Sequence, residues 1–178
     1  KLPLGEALLV VVPRHPQRFG EVAALAARAG FAVQRRSENA PVAAQTQVLV
    51  GDSMGELFAY YAACDVTFVG GSLLDYGSQN LIEACAVGRP VLIGRSTYNF
   101  THAAEQALEC GAARQIGTAE ELLGTAQELL RDEAARRRMG EAGRAFAARH
   151  RGATAKTVAL IERHLPPVSH GDLLRSSS

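Results

Sequence analysis

The sequence predicts an α/β fold, a Rossmann-like, doubly wound parallel sheet with C-terminal helices. Two observations support this prediction. Short apolar runs rich in β-branched residues alternate with segments of about ten to fifteen residues whose apolar positions recur at helical spacing. The first run, ALLVVVP, is continuously apolar, which is typical of a strand in a parallel sheet that is covered by helices on both faces.

The elements of this core follow one another along the chain. The strands are expected over residues 7–13, 31–37, 47–52, 65–71, 90–94 and 112–117, the first buried on both faces and the last at an edge. The helices are expected over residues 17–30, 53–64, 78–88, 101–111 and 118–132. Gly30 has the position of a C-cap and Thr118 that of an N-cap, while Ser53 and Glu56 have the spacing of a capping box.

The composition changes after residue 131, where Ala, Arg and Glu dominate and the strand pattern ends. We expect a core over residues 1–131, C-terminal helices of the same domain over 132–165 with a break near 151–152, and a flexible tail over 166–178. The arginines of this helical part either form a solvated face or attract anionic lipid head groups.

Composition excludes several classes of function. The chain of 178 residues has a net charge of +1, 6% aromatic residues and no Trp, so no nucleic-acid partner is expected. The three cysteines have no CxxC spacing, which favours buried, reduced thiols and a reducing, cytosolic compartment. No cluster has metal-ligand spacing, and no apolar run is long enough to span a bilayer, so neither a metal nor a transmembrane segment is expected.

Candidate binding residues follow four of the strands, because ligands of open parallel sheets bind at the carboxyl ends of the strands. After the first strand, two prolines frame Arg14 and His15, and Arg suits a phosphate or a carboxylate. After the third strand, Gly55 allows close approach to the backbone. The alternative for Arg14 is an ordinary surface turn.

The fourth strand ends in Gly70, Gly71 and Ser72, which either cradle a phosphate or form an ordinary turn. Glu83 follows in a helix whose neighbouring residues are small or apolar. A carboxylate in such surroundings needs a partner, and a ribose diol supplies two hydroxyl donors. The alternative is a Glu on the outer face of the helix.

Several blocks together resemble a known family. The segments PRHPQRF, GDSMGEL, DVTFVGGSL, NLIEACAVGRPVLIG and NF are similar, in order and spacing, to the carboxyl-terminal half of bacterial 3-deoxy-D-manno-oct-2-ulosonic acid (Kdo) transferases. The resemblance covers residues 7–165, and the glutamate-bearing block is shared widely among two-domain glycosyltransferases of the GT-B architecture. One departure is Gln79, where many relatives have His, so a direct role for this position is open.

The resemblance implies the donor-binding half of an inverting GT-B glycosyltransferase of lipopolysaccharide biosynthesis in Gram-negative bacteria. Such enzymes transfer Kdo from CMP-Kdo to lipid A precursor at the cytoplasmic face of the inner membrane, without a cofactor. Their general base lies in the amino-terminal domain, so this chain is expected to be a soluble fragment that contains no catalytic residue and does not transfer sugar. We also expect weak peripheral membrane contact.

The same resemblance implies roles for individual residues. Arg14 and the loop of residues 70–72 would stabilise the departing phosphate, and Glu83 would bind the ribose. The cytosine would meet the backbone around three neighbouring residues, Met54, Gly55 and Glu56. His15 would contact either the Kdo carboxylate or the phosphate. Two polar residues, Asn80 and Asn99, are candidates at the rim of the site.

Two other classes remain open on the sequence alone. One is another GT-B enzyme or a UDP-sugar epimerase fragment, which shares the glutamate-bearing helix but not the PRHP or MGEL blocks. The other is a non-catalytic nucleotide-binding module, because no complete catalytic constellation is present.

Overall fold

The computed structural model describes residues 7–150 and 153–164. The chain divides into two compact units, Lys1–Ala148 and Arg149–Ser178. The first contains all the described strands and a cavity between two of them. The predicted tail over residues 166–178 lies outside the described residues.

Six parallel strands form two ladders of three. The strands are β1 (Leu9–Val11), β2 (Val33–Arg35), β3 (Val48–Val50), β4 (Thr67–Val69), β5 (Val91–Ile93) and β6 (Ala113–Gln115). The first ladder has the order β1-β3-β2 and the second β4-β5-β6, with Val10 opposite Leu49 and Phe68 opposite Leu92. The predicted parallel strands are confirmed. We expected them to form one continuous sheet, whereas they form two three-stranded sheets, which are the two ladders named here.

Seven α-helices accompany the strands within the described residues. They are α1 (Phe19–Arg28), α2 (Leu57–Ala63), α3 (Leu81–Ala86), α4 (Thr101–Glu109), α5 (Ala119–Arg131), α6 (Glu133–His150) and α7 (Ala153–His164). Short 3₁₀ turns occupy Pro16–Arg18 and Arg36–Glu38. The predicted N-cap at Thr118 is confirmed, since its side chain accepts from the Glu121 N–H. The C-cap of α1 is Ala29, and Gly30, which was predicted to have this position, follows it with a φ of 85°.

Other local predictions were wrong. β1 is not buried on both faces, since Leu9 is 38% exposed and its other two residues are only half-buried. The capping box at Ser53 does not form, since α2 begins only at Leu57 and the Ser53 hydroxyl donates to the Glu56 carboxylate instead of the backbone. The third helix is shorter than predicted, because Asn80 caps it and it ends at Ala86.

The core is centred on the second ladder. Val91, Leu92 and Ile93 of β5 are fully buried, and α3, α4 and the first unit's part of α6 pack around them. Phe146 of α6 belongs to the same cluster as Val91. A close approach makes this packing possible, because Gly140 of α6 is so near the turn at Gly88 that an added Cβ would lie 2.1 Å from the Gly88 carbonyl oxygen.

The cysteines fit the prediction of reduced, largely buried thiols. All three are free, with Cys85 buried and Cys64 and Cys110 half-buried. Burial raises the pKa of the Cys85 thiol to about 12. The thiol is therefore protonated at neutral pH and behaves as a small apolar group in the core.

Candidate functional site

A cavity of about 730 Å³ lies between β1 and β4, each of which is an edge strand of its ladder. Its lining comes from β1 and the turn after it, the connection between β3 and α2, α2 itself, β4, and the connection from β4 to α3. Three of these segments, the turn after β1 and the connections from β3 to α2 and from β4 to α3, are carboxyl-terminal junctions that the sequence predicted as a binding edge. The lining also includes Cys64 and Val66 before β4, Glu83 of α3, and Phe100. The cavity brings together seven of the predicted residues: Arg14, Met54, Gly55, Gly70, Gly71, Asn80 and Glu83.

Arg14 and Glu83 carry the charges of this cavity. Among the described residues that line it, Arg14 is the only cation and Glu83 the only anion. The Arg14 Nη1 donates to the side-chain oxygen of Gln79, a second lining residue that is 65 positions away in sequence. A ligand with one anionic group and one set of hydroxyl donors would match this pair of charges.

Glu83 is held by the residue that caps its helix. The Asn80 side chain accepts from the Ile82 N–H as the N-cap of α3 and donates through Nδ2 to the Glu83 Oε1 over 2.9 Å. Glu83 is half-buried and faces the cavity, which contradicts the alternative of an outer-face glutamate. Asn80 therefore orients the carboxylate and caps α3 at once.

The loop after β4 presents glycines to the cavity and hides its serine. Gly70 and Gly71 line the cavity, and Gly71 has a φ of 76° that favours glycine. Ser72 is fully buried, where its hydroxyl donates to the Val69 carbonyl over 2.5 Å and accepts from the Gly94 N–H over 2.8 Å. The Ser72 side chain thus ties β4 to β5 from below the loop, and a direct contact between Ser72 and a ligand stays a prediction.

The connection between β3 and α2 is anchored by ion pairs that the sequence reasoning missed. Asp52 lies two residues after β3, has a side chain only 1% exposed and pairs with the Arg35 Nε at 2.8 Å. Ser37 donates to it twice, from the backbone at 2.8 Å and from the hydroxyl at 2.6 Å. Burial alone would raise the pKa of Asp52, but the Ser37 hydrogen bonds and the Arg35 charge outweigh it and lower that pKa.

Glu56 is the second acidic residue of this connection. The Ser53 hydroxyl, followed by the Arg36 guanidinium at 3.0 Å, holds the pKa of Glu56 below its usual range. The Glu56 side chain is paired with Arg36 and does not line the cavity, whereas Met54 and Gly55 do. A contact between the Glu56 backbone and a base stays a prediction.

Two further predicted residues lie outside the cavity lining. His15 is exposed on the turn after β1. Asn99 donates to the Tyr76 carbonyl at 3.2 Å, so it fastens the β4–α3 connection to the segment after β5. Direct ligand contacts for both remain predictions.

Sequence reasoning also missed two adjacent tyrosines of α2 that line the cavity. The Tyr60 hydroxyl is buried and has no hydrogen-bond partner among the described residues. Burial, then the nearby charge of Glu83, raises the pKa of Tyr61 to about 12. Only the helical position of these residues, one turn after the Gly55 loop, could have drawn attention to them.

The described part of the chain contains no cluster of acidic, histidine or cysteine side chains that could bind a metal ion. Within the described residues, no three His, Cys, Asp or Glu side chains lie close enough together to hold a metal ion. Nor is any described helix both long and apolar enough to cross a membrane.

A cavity at the carboxyl ends of the strands of an open parallel α/β sheet is the usual position of a ligand site in this class of fold. The profile of the family described as "Glycosyl transferases group 1" matches residues 30–146. The chain therefore belongs to that family.

The chain is also similar in sequence to two curated glycosyltransferases. A 3-deoxy-D-manno-octulosonic acid transferase of Bordetella pertussis is 47% identical over 156 residues, which are 87% of this chain and 36% of the relative. One of Haemophilus influenzae is 38% identical over 159 residues, or 89% of this chain and 37% of the relative. The predicted resemblance to Kdo transferases is confirmed. The chain spans about a third of the length of these relatives.

Solved structures confirm the fold. The crystal structure of the C-terminal CMP-Kdo binding domain of WaaA from Acinetobacter baumannii matches with a TM-score of 0.75 and 31% identity, covering 78% of this chain and 72% of that chain. A sucrose-phosphate synthase of Thermosynechococcus elongatus matches with a TM-score of 0.57 and 21% identity over 92% of this chain and 46% of that one, which concerns the fold alone. The fold is one half of a GT-B glycosyltransferase, as predicted.

Proposed function

We propose that this chain binds CMP-Kdo and supplies the donor site of an inverting transferase that attaches Kdo to lipid A precursor in lipopolysaccharide biosynthesis. The observation that carries the proposal is the cavity between β1 and β4, which brings Arg14 and Glu83 together at the carboxyl edge of the strands. The Kdo transferases among its relatives and the CMP-Kdo binding domain among similar structures support the choice of ligand.

In the proposed reaction, a hydroxyl of the acceptor attacks the anomeric carbon of Kdo, and the bond from that carbon to the phosphate oxygen of CMP breaks. The bonding electrons leave with the phosphate, so negative charge grows on CMP. Arg14 is the cavity residue that can stabilise this charge, and Glu83 can accept hydrogen bonds from the ribose hydroxyls. Catalysis of the attack requires a general base, which we place in the part of the enzyme that this chain does not match.

Titration of the purified chain with CMP, UDP and GDP tests the proposal. We expect CMP to bind most tightly, and Glu83→Ala to weaken CMP binding by about 1–3 kcal/mol, the scale of lost hydrogen bonds to a charged group. Glu105→Ala, an exposed glutamate on α4, is the matched control and should bind like the unaltered chain. Tighter binding of UDP or GDP, or equal affinities for all three, would assign the cavity to a different donor.

A turnover assay tests the second part of the proposal. With CMP-Kdo and lipid A precursor, the chain alone should give no transfer, because it offers donor binding without the general base. Transfer by the chain alone would show that it contains a base after all. The same measurement separates a donor domain from a non-catalytic module, since only a donor domain should gain activity when the remainder of a Kdo transferase is supplied.

We also propose that the complete enzyme works at the cytoplasmic face of the inner membrane, with only weak contact through this chain. Two of its arginines are already engaged, since Arg136 donates to the Leu129 and Leu130 carbonyls at the end of α5 and Arg137 lies 4.0 Å from Glu141. We expect binding to anionic vesicles at low salt and release near 0.15 M, where the screening length is about 8 Å. Strong retention of the chain on sedimented vesicles at that salt would contradict this.

A further inference from the structure

Gln79 lies at the meeting point of two segments that are distant in sequence. Its side-chain oxygen accepts from the Arg14 Nη1, and both residues line the cavity. Its side-chain nitrogen lies on the other side, 3.6 Å from the point that a Cβ on Gly71 would occupy. The Gln79 side chain therefore binds the turn after β1 and lies close to the glycine loop after β4.

The backbone before Gln79 is fixed in an unusual conformation. Ser78 is only 1% exposed and has a φ of 71°, the left-handed region that non-glycine residues rarely adopt. Its N–H donates to the Gly71 carbonyl over 3.0 Å, and its hydroxyl donates to the Gln79 carbonyl over 3.0 Å. A residue held in this way is over-determined by its surroundings, a condition that occurs preferentially at functional sites. Gln79 thus projects from a rigid support.

The hydrogen-bond partner of Arg14 is uncharged, and this leaves the positive charge of Arg14 intact. Arg35 and Arg36 both pair with carboxylates, those of Asp52 and Glu56. Arg14 instead binds the neutral amide of Gln79. A neutral acceptor restrains a flexible guanidinium without cancelling its positive charge, and the other N–H groups stay available for an anion.

We propose that Gln79 is a positioning residue that holds the Arg14 guanidinium for the phosphate of CMP. The inference rests on the proposed donor, and it goes further by giving a role to a position where the resemblance to other Kdo transferases leaves one open. It explains why a polar, uncharged side chain is suitable there. A carboxylate would neutralise Arg14 and repel the phosphate, and an apolar side chain would release the guanidinium.

Titrations with CMP and with cytidine test the proposal, because the two ligands differ by the phosphate. Gln79→Met keeps the length of the side chain and removes the acceptor. We expect it to weaken CMP binding about five- to tenfold, the equivalent of one hydrogen bond, with cytidine changed by less than about twofold. Gln79→Glu should weaken CMP binding further. In an Arg14→Ala chain, Gln79→Met should have no additional effect.

The matched control is Gln17→Met, at an exposed glutamine in the turn after Arg14 that does not line the cavity. It should leave both affinities unchanged. Equal losses for CMP and cytidine in Gln79→Met would reduce Gln79 to a general support of the loop and overturn the proposal. So would an undiminished effect of Gln79→Met in the Arg14→Ala chain.

A measurement without ligand separates this inference from the proposed donor. The ¹⁵N order parameter of the Arg14 Nε–H group, identified by its loss in Arg14→Lys, should fall below about 0.6 in Gln79→Met. An unchanged order parameter would show that Gln79 does not restrain Arg14, whatever the ligand. If CMP fails to bind the unaltered chain, the proposed donor is wrong and the assigned role of Gln79 in phosphate binding is wrong with it, even where the order parameter falls.

Discussion

Asp52→Asn should destabilise the first compact unit in a pH-dependent way. The Asp52 carboxylate joins the ends of β2 and β3, because it binds the Arg35 Nε and both the backbone and the hydroxyl of Ser37. It also begins the connection that leads to Met54 and Gly55 in the cavity. The substitution keeps the size of the side chain and removes its charge.

The magnitude follows from the three hydrogen bonds. The new amide can accept from the Ser37 N–H, but its NH₂ group would then face the Arg35 guanidinium, so at least one charged hydrogen bond is lost. A hydrogen bond to a charged group contributes about 1.5–3 kcal/mol when it is shielded from water. The Arg35 side chain is 42% exposed and can be rehydrated, which lowers its share. We expect the free energy of unfolding at pH 7 to fall by about 2 kcal/mol.

The pH dependence has a definite sign. The pKa of Asp52 in the folded chain is below its ordinary value of 3.8. Its stabilisation is therefore fully present above that value and is lost as the pH falls through the folded-state pKa. The difference between the unaltered chain and Asp52→Asn should be constant from neutral pH down to about pH 5 and shrink below pH 4.

Urea unfolding followed by circular dichroism at pH 7 and pH 3 measures this difference. Glu21→Gln is the control, because Glu21 forms an ion pair with Arg18 in which the side chains are 61% and 59% exposed. That exposed pair should contribute less than about 1 kcal/mol at either pH. A difference for Asp52→Asn that is as small as the control, or equally large at both pH values, would refute the reasoning.

Two further predictions concern packing. Gly140→Ala should lower the melting temperature despite the better helix propensity of Ala, because the new Cβ would lie 2.1 Å from the Gly88 carbonyl oxygen. The control is Gly124→Ala in α5, whose new Cβ would meet nothing within 4 Å and which should stabilise the chain by about 0.5–1 kcal/mol. Equal shifts at the two glycines would contradict this. In a variant that keeps Cys85 as its only cysteine, a thiol reagent at pH 8 should react only after unfolding, since burial raises the pKa of that thiol to about 12. Rapid labelling of the folded chain would show that the thiol is accessible.

The fold was predictable because its strongest signals are local. The continuous apolar runs of β3 and β5 mark the two central strands, and Thr118 caps α5 where the sequence places it. The partial exposure of β1 was not predictable in the same way, since its apolar run resembles that of the buried strand β3. The two strands differ in burial, since β3 is buried throughout whereas Leu9 of β1 is 38% exposed, and that difference depends on what packs against each strand in the folded chain.

A residue of the candidate site was predictable where its chemistry differs from that of its neighbours in sequence. Glu83 is a carboxylate among small apolar residues, so its need for a partner is visible in the sequence. Asp52, Tyr60 and Gln79 give no such signal, because aspartate after a strand, tyrosine in a helix and glutamine in a loop are ordinary. Their importance arises from contacts such as that between Gln79 and Arg14, which only the folded chain creates.

The distribution of charge around the cavity links these observations to function. Arg35 and Arg36 lie at the same edge of the strands as Arg14, but each is paired with a carboxylate and is largely neutralised. Asp52 and Glu56 thereby confine the positive charge of the cavity to Arg14, while Asn80 holds the negative charge at Glu83. Two separated, oppositely charged points can orient a ligand that has an anionic group and hydroxyl groups, where a diffuse basic surface would attract any anion. For the proposed nucleotide ligand, we therefore expect selectivity to depend on the carboxylates that neutralise Arg35 and Arg36 as well as on Arg14.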